Sequence, residues 1–154
     1  MGRARIVSIS FAALALGALL LSCGGDGPHI RTADLTGAQE TPPVTTSGSG
    51  SAKFKLSLDR TLIRYQVEVE GLTNVLFAHV HVGQPGEAGP IIFNLATSSF
   101  TEVSGDLTSE DLIPAPAQGI TDFSDAYDAM LNGGTYVNVH TLSHPGGEVR
   151  GQIE

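Results

Sequence analysis

Two histidines separated by a single residue are the part of this sequence best suited to chemistry. His79 and His81 occur in segment 77–82 (FAHVHV), where apolar and polar residues alternate. On a β-strand the side chains of residues i and i+2 leave the same face, so the two imidazoles share one face and the valines share the other. His140 lies in a similar alternating run. Three imidazoles form a ligand set that suits copper or zinc.

Polar residues on the later strands extend this histidine face. If the three strands are neighbours in one sheet, the histidines converge on an outer patch, and a supporting set joins them: Tyr136, Asn138, His144, Glu148 and Arg150. A second interpretation needs no ligand, because sheet imidazoles often hydrogen-bond to a carboxylate, a tyrosine or a backbone carbonyl. Glu148 and Arg150, two residues apart, are then most simply an ion pair or cross-strand partners.

The elements that must position these residues are short strands. Alternation of apolar and polar residues with intervening turn signals predicts strands near 31–39 and at 52–58, 63–70, 77–82, 90–95, 101–107, 135–142 and 148–153. Asp59-Arg60 and Gly146-Gly147 fit hairpin turns. Segments 40–51 and 108–120 are rich in Pro, Ser, Thr and Gly and are predicted as loops. This even spacing favours an all-β antiparallel sandwich or barrel.

One short helix interrupts the strands. Its predicted buried face consists of Phe123, Ala126, Tyr127, Met130 and Leu131, which follow helical spacing. Thr121 or Asp122 is a suitable N-cap, and Gly133-Gly134 a suitable stop.

The N-terminal residues predict export. Arg3 and Arg5 precede an apolar stretch over 6–21, which is shorter than a membrane-spanning helix needs. Residues 20–23 (LLSC) resemble the lipobox of bacterial lipoproteins, so residues 1–22 are expected to be a signal peptide and Cys23 the lipidated residue. Residues 23–30 then form a flexible tether. The expected location is the cell envelope, lipid-anchored in the membrane and facing the periplasm or the exterior.

Composition excludes several functions. Acidic residues outnumber basic ones by 16 to 8, which argues against nucleic acid or anionic lipid as the main partner. The sequence has no Gly-x-Ser-x-Gly elbow and no phosphate-binding Gly-rich loop, and its one cysteine is Cys23. We therefore expect a protein that is not an enzyme.

Four ordered motifs resemble the CHRD domain, a module named for chordin and found in bacterial secreted proteins and lipoproteins. The motifs are 35–44 (LTGAQETPPV), 78–81 (AHVH), 134–141 (GTYVNVHT) and 145–153 (PGGEVRGQI). The resemblance covers residues 31–154. It implies a Greek-key β-sandwich or barrel of immunoglobulin-like or copper/zinc superoxide dismutase-like build, without a settled activity.

A fainter likeness concerns copper/zinc superoxide dismutase. His79 and His81 are similar to the His-x-His strand that binds copper in that enzyme, and His140 would be a third nitrogen ligand. The loop over 83–89 is short, however, and contains no histidine or cysteine. Dismutase activity is therefore not expected.

Three functions remain open at this point. The first is a non-enzymatic envelope module that binds a protein or another extracellular ligand. The second is a copper- or zinc-binding protein that uses His79, His81 and His140. The third is a purely structural anchor.

Overall fold

Eight strands and one helix make up the domain in the computed structural model, which describes residues 27–154. The predicted signal peptide and Cys23 lie outside the described residues. The strands are β1 (His29–Thr36), β2 (Ser49–Leu56), β3 (Ile63–Glu70), β4 (Val75–Val82), β5 (Ile91–Ala96), β6 (Glu102–Leu107), β7 (Thr135–Thr141) and β8 (Val149–Gln152). Helix α1 spans Phe123–Leu131, and 3₁₀ turns occupy Gly37–Gln39 and Pro116–Gln118.

All eight strands belong to one antiparallel sheet that curls into a nearly closed barrel. Their order is β5-β4-β7-β8-β1-β2-β3-β6, so β5 and β6 are the two edges. Tyr65 on β3, the neighbour of edge strand β6, donates a hydrogen bond from its hydroxyl to the Leu95 carbonyl on edge strand β5 at 2.7 Å. This order places β4, β7 and β8 side by side, so the three strands that carry the predicted histidine face are neighbours.

Strict alternation explains why these segments form the barrel wall. In β3 every second residue from Ile63 is buried and the residues between them are exposed. The inward residues of β4, β7 and β8 include Val80, Val137 and Val149, each with no exposed surface. The predicted all-β antiparallel fold with one helix is confirmed, and the strand bounds differ from the predicted ones by a few residues. β1 begins at His29, inside the segment expected to be a tether.

Helix α1 begins and ends where the sequence signals predicted. Asp122 is the N-cap and forms a reciprocal capping box with Asp125. Gly133 follows the helix with a positive φ of 73°, a conformation that favours glycine. The buried face consists of Phe123, Ala126, Tyr127 and Met130, while Leu131 is partly buried against the core. In the described part of the chain, no helix is long and apolar enough to cross a membrane.

Candidate metal centre

Neighbouring strands bring three histidines together. β4 carries His79 and His81, and β7 pairs with β4 so that His140 lies opposite Phe77, diagonal to His79. Nδ1 of His79 lies 3.2 Å from Nε2 of His140. One ring nitrogen from each of the three histidines falls within 4.8 Å of the others. We call these three residues the histidine triad.

Backbone carbonyls fix the orientation of two imidazoles. His81 Nδ1 lies 2.9 Å from the Gly89 carbonyl oxygen, and His140 Nδ1 lies 3.0 Å from that of Pro145. A carbonyl only accepts, so each Nδ1 carries the hydrogen and each Nε2 keeps its lone pair. Such outer contacts set the tautomer of histidines that bind metals.

One of these lone pairs has no partner. Nε2 of His81 is buried and makes no hydrogen bond within residues 27–154. A buried polar atom without a partner is costly, and a metal ion is one group that would satisfy it. Zinc–imidazole bonds are about 2.0–2.1 Å long, so two ligands of one ion lie within about 4 Å of each other. The His79–His140 pair meets that limit, and the residues present fit a metal ion after a small shift of the third ring.

Burial keeps the triad neutral. It lowers the pKa of His79 from 6.5 to about 4, assisted by the charges that His140 and His81 would carry. Burial also lowers the pKa of His140 and His81, although the hydrogen bond to Gly89 partly opposes the shift at His81. Neutral imidazole is the form that binds metal, so no proton must be displaced at neutral pH.

The sequence predicted that the histidines form an outer patch. The triad does lie outside the barrel wall, but it is buried rather than exposed. Each of the three histidines is only 9% exposed. Two loops fold over this face of β4, β7 and β8. The loop over 37–48 contributes Glu40 and Thr46, and the loop over 83–90 contributes the Gly89 carbonyl. A strand pattern shows which face a residue occupies, but not whether a distant loop covers that face.

Tyr136 and Arg150 form a stack beside His81. The Tyr136 ring lies 4.9 Å from the His81 ring at an interplanar angle of 7°, and the Arg150 guanidinium carbon lies 3.4 Å from the Tyr136 ring centroid. Arg150 donates to the carbonyls of Glu87 and Gln84 at 2.8 and 3.0 Å. These bonds tie the loop over 83–90 to β8.

Of the two expected interactions for Glu148 and Arg150, the ion pair is wrong, whereas Glu148 does have a partner on the neighbouring strand β7, Thr141. Glu148 instead accepts hydrogen bonds from the hydroxyls of Thr46 at 2.6 Å and Thr141 at 2.5 Å. Burial alone would raise the pKa of Glu148, but these two bonds outweigh it and hold the pKa below its usual value. Glu148 therefore fastens the loop over 37–48 to β7 and β8.

Asn138 contacts the loop over 37–48, whereas His144 lies in a turn apart from the triad. Asn138 donates from Nδ2 to Glu40 Oε2 at 3.1 Å. His144 lies in the turn between β7 and β8, where its backbone carbonyl accepts from Gly147, and it is not one of the triad. Four of the five residues of the expected supporting set therefore hold loops or contact the triad.

Glu40 is a polar residue of this face to which the sequence assigned no role. It is only 7% exposed, and burial raises its pKa from 4.5 to about 7 against the opposing effects of Asn138 and Arg150. Glu40 Oε1 and Asn138 Oδ1 are both buried without a hydrogen-bond partner among the described residues. A β carbon at Gly147 would lie 2.7 and 2.5 Å from these two oxygens, so both face the same small space. A proton on Oε1 turns it into a donor for that unpaired acceptor.

Comparison with known proteins identifies the domain. The family model described as CHRD domain matches residues 31–153, most of the chain. The search of curated proteins finds no match, and neither does the search of solved structures.

Proposed function

The chain belongs to the CHRD domain family, and we propose that within this domain His79, His81 and His140 bind a transition metal ion, copper or zinc. The observation that carries the proposal is the arrangement of His81 and His140. Backbone carbonyls hold their Nδ1 atoms. Their Nε2 lone pairs are thereby left for a ligand, one of them with no other partner.

Metal analysis of the untagged full-length protein tests this proposal. After loading with copper or zinc and removal of free metal, we expect about one ion per chain, and less than a tenth of that in His81→Ala. The matched control is His29→Ala, because His29 is exposed in β1 and lies outside the triad. Wild type without bound metal, or equal metal in wild type and His81→Ala, would contradict the proposal.

We propose that the metal is bound rather than used in catalysis. The side chains nearest the triad serve other purposes, since Glu148 and Arg150 hold loops. Metal-loaded protein should therefore remove superoxide no faster than the same amount of metal in a small-peptide complex. A rate well above that control would show that the site is catalytic.

A cleft lined by Glu40 and Arg150 supports a second candidate, a binding module for a small polar ligand. The cleft has a volume of about 350 Å³ and lies between the loops over 37–48 and 83–90, with Pro43 and Pro85 on its sides. Arg150 and Gln152 line it, and Gln152 Oε1 is buried without a partner in the described domain. Clefts of this size hold small ligands in many proteins. Thermal-shift screening with polar metabolites should then give hits that Gln152→Leu abolishes.

We also propose that the protein is a lipid-anchored component of the cell envelope, exported by residues 1–22 and lipidated at Cys23. The support is the order of basic residues, apolar stretch and LLSC in the sequence. Labelled palmitate should enter the wild-type protein and not Cys23→Ser. Equal labelling of the two proteins would contradict the proposal.

A further inference from the structure

The charges around the histidine triad are unusual for a site that holds a divalent ion. Its three ligands are neutral imidazoles, and no carboxylate belongs to the group of ligand atoms within residues 27–154. The two nearby acids are engaged elsewhere. Glu148 accepts from two threonine hydroxyls, and Glu40 accepts from Asn138 with Oε2 while its Oε1, which is not among the ligand atoms, faces Asn138 Oδ1 near Gly147. Among residues 27–154, no carboxylate is therefore placed as a ligand that would offset the charge of a bound metal.

The charge that does act on the triad is positive. The Arg150 guanidinium stacks on Tyr136, whose ring stacks on His81, so the positive charge of Arg150 lies one ring away from that imidazole. Arg150 is only 2% exposed, and carbonyls of the loop over 83–90 hold it in place. Its side chain cannot swing into water when a cation arrives, so repulsion of the bound ion persists.

Burial increases the effect of ionic charge. Each triad histidine is 9% exposed, and the cost of moving an ion out of water rises with the square of its charge. Repulsion by a fixed positive group rises in proportion to the charge. Both effects penalise Cu(II) and Zn(II) more than Cu(I), while the three nitrogen ligands are the same for all.

The number of ligand atoms also favours Cu(I) over the divalent ions. The described residues supply three ligand atoms. Structural zinc sites are almost always four-coordinate, whereas catalytic zinc keeps water in the open position. Cu(I) forms stable complexes with three nitrogen donors and needs no fourth ligand. From these charges and this donor set, and resting on the metal-binding function proposed above, we infer that the triad is selective for the monovalent state of copper.

Two competition titrations on the untagged full-length protein test the inference. Under anaerobic conditions with ascorbate, a chromogenic Cu(I) chelator competes with the protein for Cu(I). In a separate titration without reductant, glycine competes for Cu(II). We expect the Kd for Cu(I) to be at least tenfold smaller than the Kd for Cu(II). Equal values, or tighter Cu(II) binding, would overturn the inference while leaving the metal-binding function intact.

Variants separate this inference from the proposed function. If neither copper ion binds and zinc loading also fails, or if His81→Ala binds both copper ions as wild type does, the metal-binding function itself fails; binding of zinc but of neither copper ion overturns only the inference. Arg150→Gln removes the positive charge. We expect this variant to lower the ratio of the Kd for Cu(II) to the Kd for Cu(I) at least threefold, mainly because Cu(II) binds more tightly. His29→Ala should leave the ratio unchanged.

The Arg150 substitution needs a check on folding, because Arg150 also holds a loop. Far-UV circular dichroism and a cooperative thermal transition identify a folded variant. A folded Arg150→Gln protein with an unchanged ratio would show that Arg150 does not set the preference. If the variant does not fold, the wild-type titrations alone decide whether the site prefers Cu(I).

Discussion

At the scale of single residues, a hydrogen bond on one nitrogen decides what the other nitrogen of an imidazole can do. The carbonyls of Gly89 and Pro145 occupy Nδ1 of His81 and His140, which leaves the lone pair of each residue on Nε2. The same two bonds satisfy the interpretation that needs no metal, but they leave Nε2 of His81 unpaired. The unpaired atom is what favours a metal site.

The buried histidines should make stability depend on pH. His79 has a pKa of about 4 when folded and about 6.5 when unfolded, so the unfolded chain binds more protons between these values. The contribution of neutral His79 to the free energy of unfolding is therefore complete above pH 6.5 and is lost as the pH falls toward 4. Between pH 7 and pH 4, we expect the free energy of unfolding of His79→Asn to fall by roughly 2 kcal/mol less than that of wild type.

Urea unfolding of the metal-free proteins at several pH values measures this difference. The exposed His29 supplies the control, because His29→Ala should lose stability with pH as wild type does. Parallel curves for wild type and His79→Asn would contradict the shifted pKa.

Glu40 should act in the opposite direction. Its pKa of about 7 when folded exceeds the value of 4.5 expected when unfolded, so the folded state loses stability as the pH rises from 4.5 to 7. Gln in place of Glu40 keeps the shape, carries no charge and can pair with both polar atoms of Asn138. We expect Glu40→Gln to raise the free energy of unfolding at pH 8 by roughly 1–3 kcal/mol.

The measurement is again urea unfolding, now at pH 8 and pH 5. Glu70→Gln is the matched control because Glu70 is exposed at the end of β3. A destabilised Glu40→Gln at pH 8 would mean that the buried carboxylate contributes a favourable interaction with Arg150.

At the scale of elements, the loop over 37–48 depends on side chains more than on backbone pairing. Glu40 reaches Asn138, Thr46 reaches Glu148, and the Gln39 side chain accepts from the backbone N–H of Gln152. These contacts connect residues about a hundred positions apart in the chain. The closed position of the loop over the triad therefore depends on β7 and β8.

Helix α1 illustrates the contrary case, an element determined locally. Asp122 accepts from the Asp125 backbone N–H at 3.1 Å, and the Asp125 side chain accepts from the Asp122 backbone N–H at 3.2 Å. We expect Asp122→Ala to cost about 1 kcal/mol in thermal or urea unfolding. Asp122→Asn, which keeps an acceptor oxygen, should cost less than half of that. Equal losses in both variants would show that charge, not capping, matters.

At the scale of the whole molecule, core packing and a side-chain hydrogen bond from β3 to β5 hold the two sides of the nearly closed barrel together. The Tyr65 hydroxyl spans from β3 to the Leu95 carbonyl on β5, and Tyr65 is only 8% exposed. Loss of that hydroxyl leaves a buried carbonyl without its partner. We expect Tyr65→Phe to lower the free energy of unfolding by about 1–3 kcal/mol.

A second tyrosine provides the comparison. Tyr127, which is also buried, donates to the Ser57 carbonyl at 2.8 Å from helix α1, away from β5 and β6. Hydrogen exchange in β5 and β6 should increase in Tyr65→Phe and stay unchanged in Tyr127→Phe. If hydrogen exchange in β5 and β6 is no faster in either variant than in wild type, packing alone holds these strands together.

The sequence by itself determined most of the wall and the strand face on which each triad histidine lies. Period-two alternation gave the strands, because a strand buried on one face must alternate. It also placed His79 and His81 on one face, and the signals at Asp122 and Gly133 marked the helix ends. All of these depend on residues within a few positions of one another, where local geometry is sufficient.

Only the tertiary structure decided how the site is enclosed. The pairing of β4 with β7 brings His140 within 3.2 Å of His79, across 61 residues of chain. The cover of the site, the unpaired Nε2 of His81 and the shifted pKa of Glu40 likewise arise from loops folded against distant strands. Burial and charge depend on what packs around a group, and no local pattern in the chain encodes that.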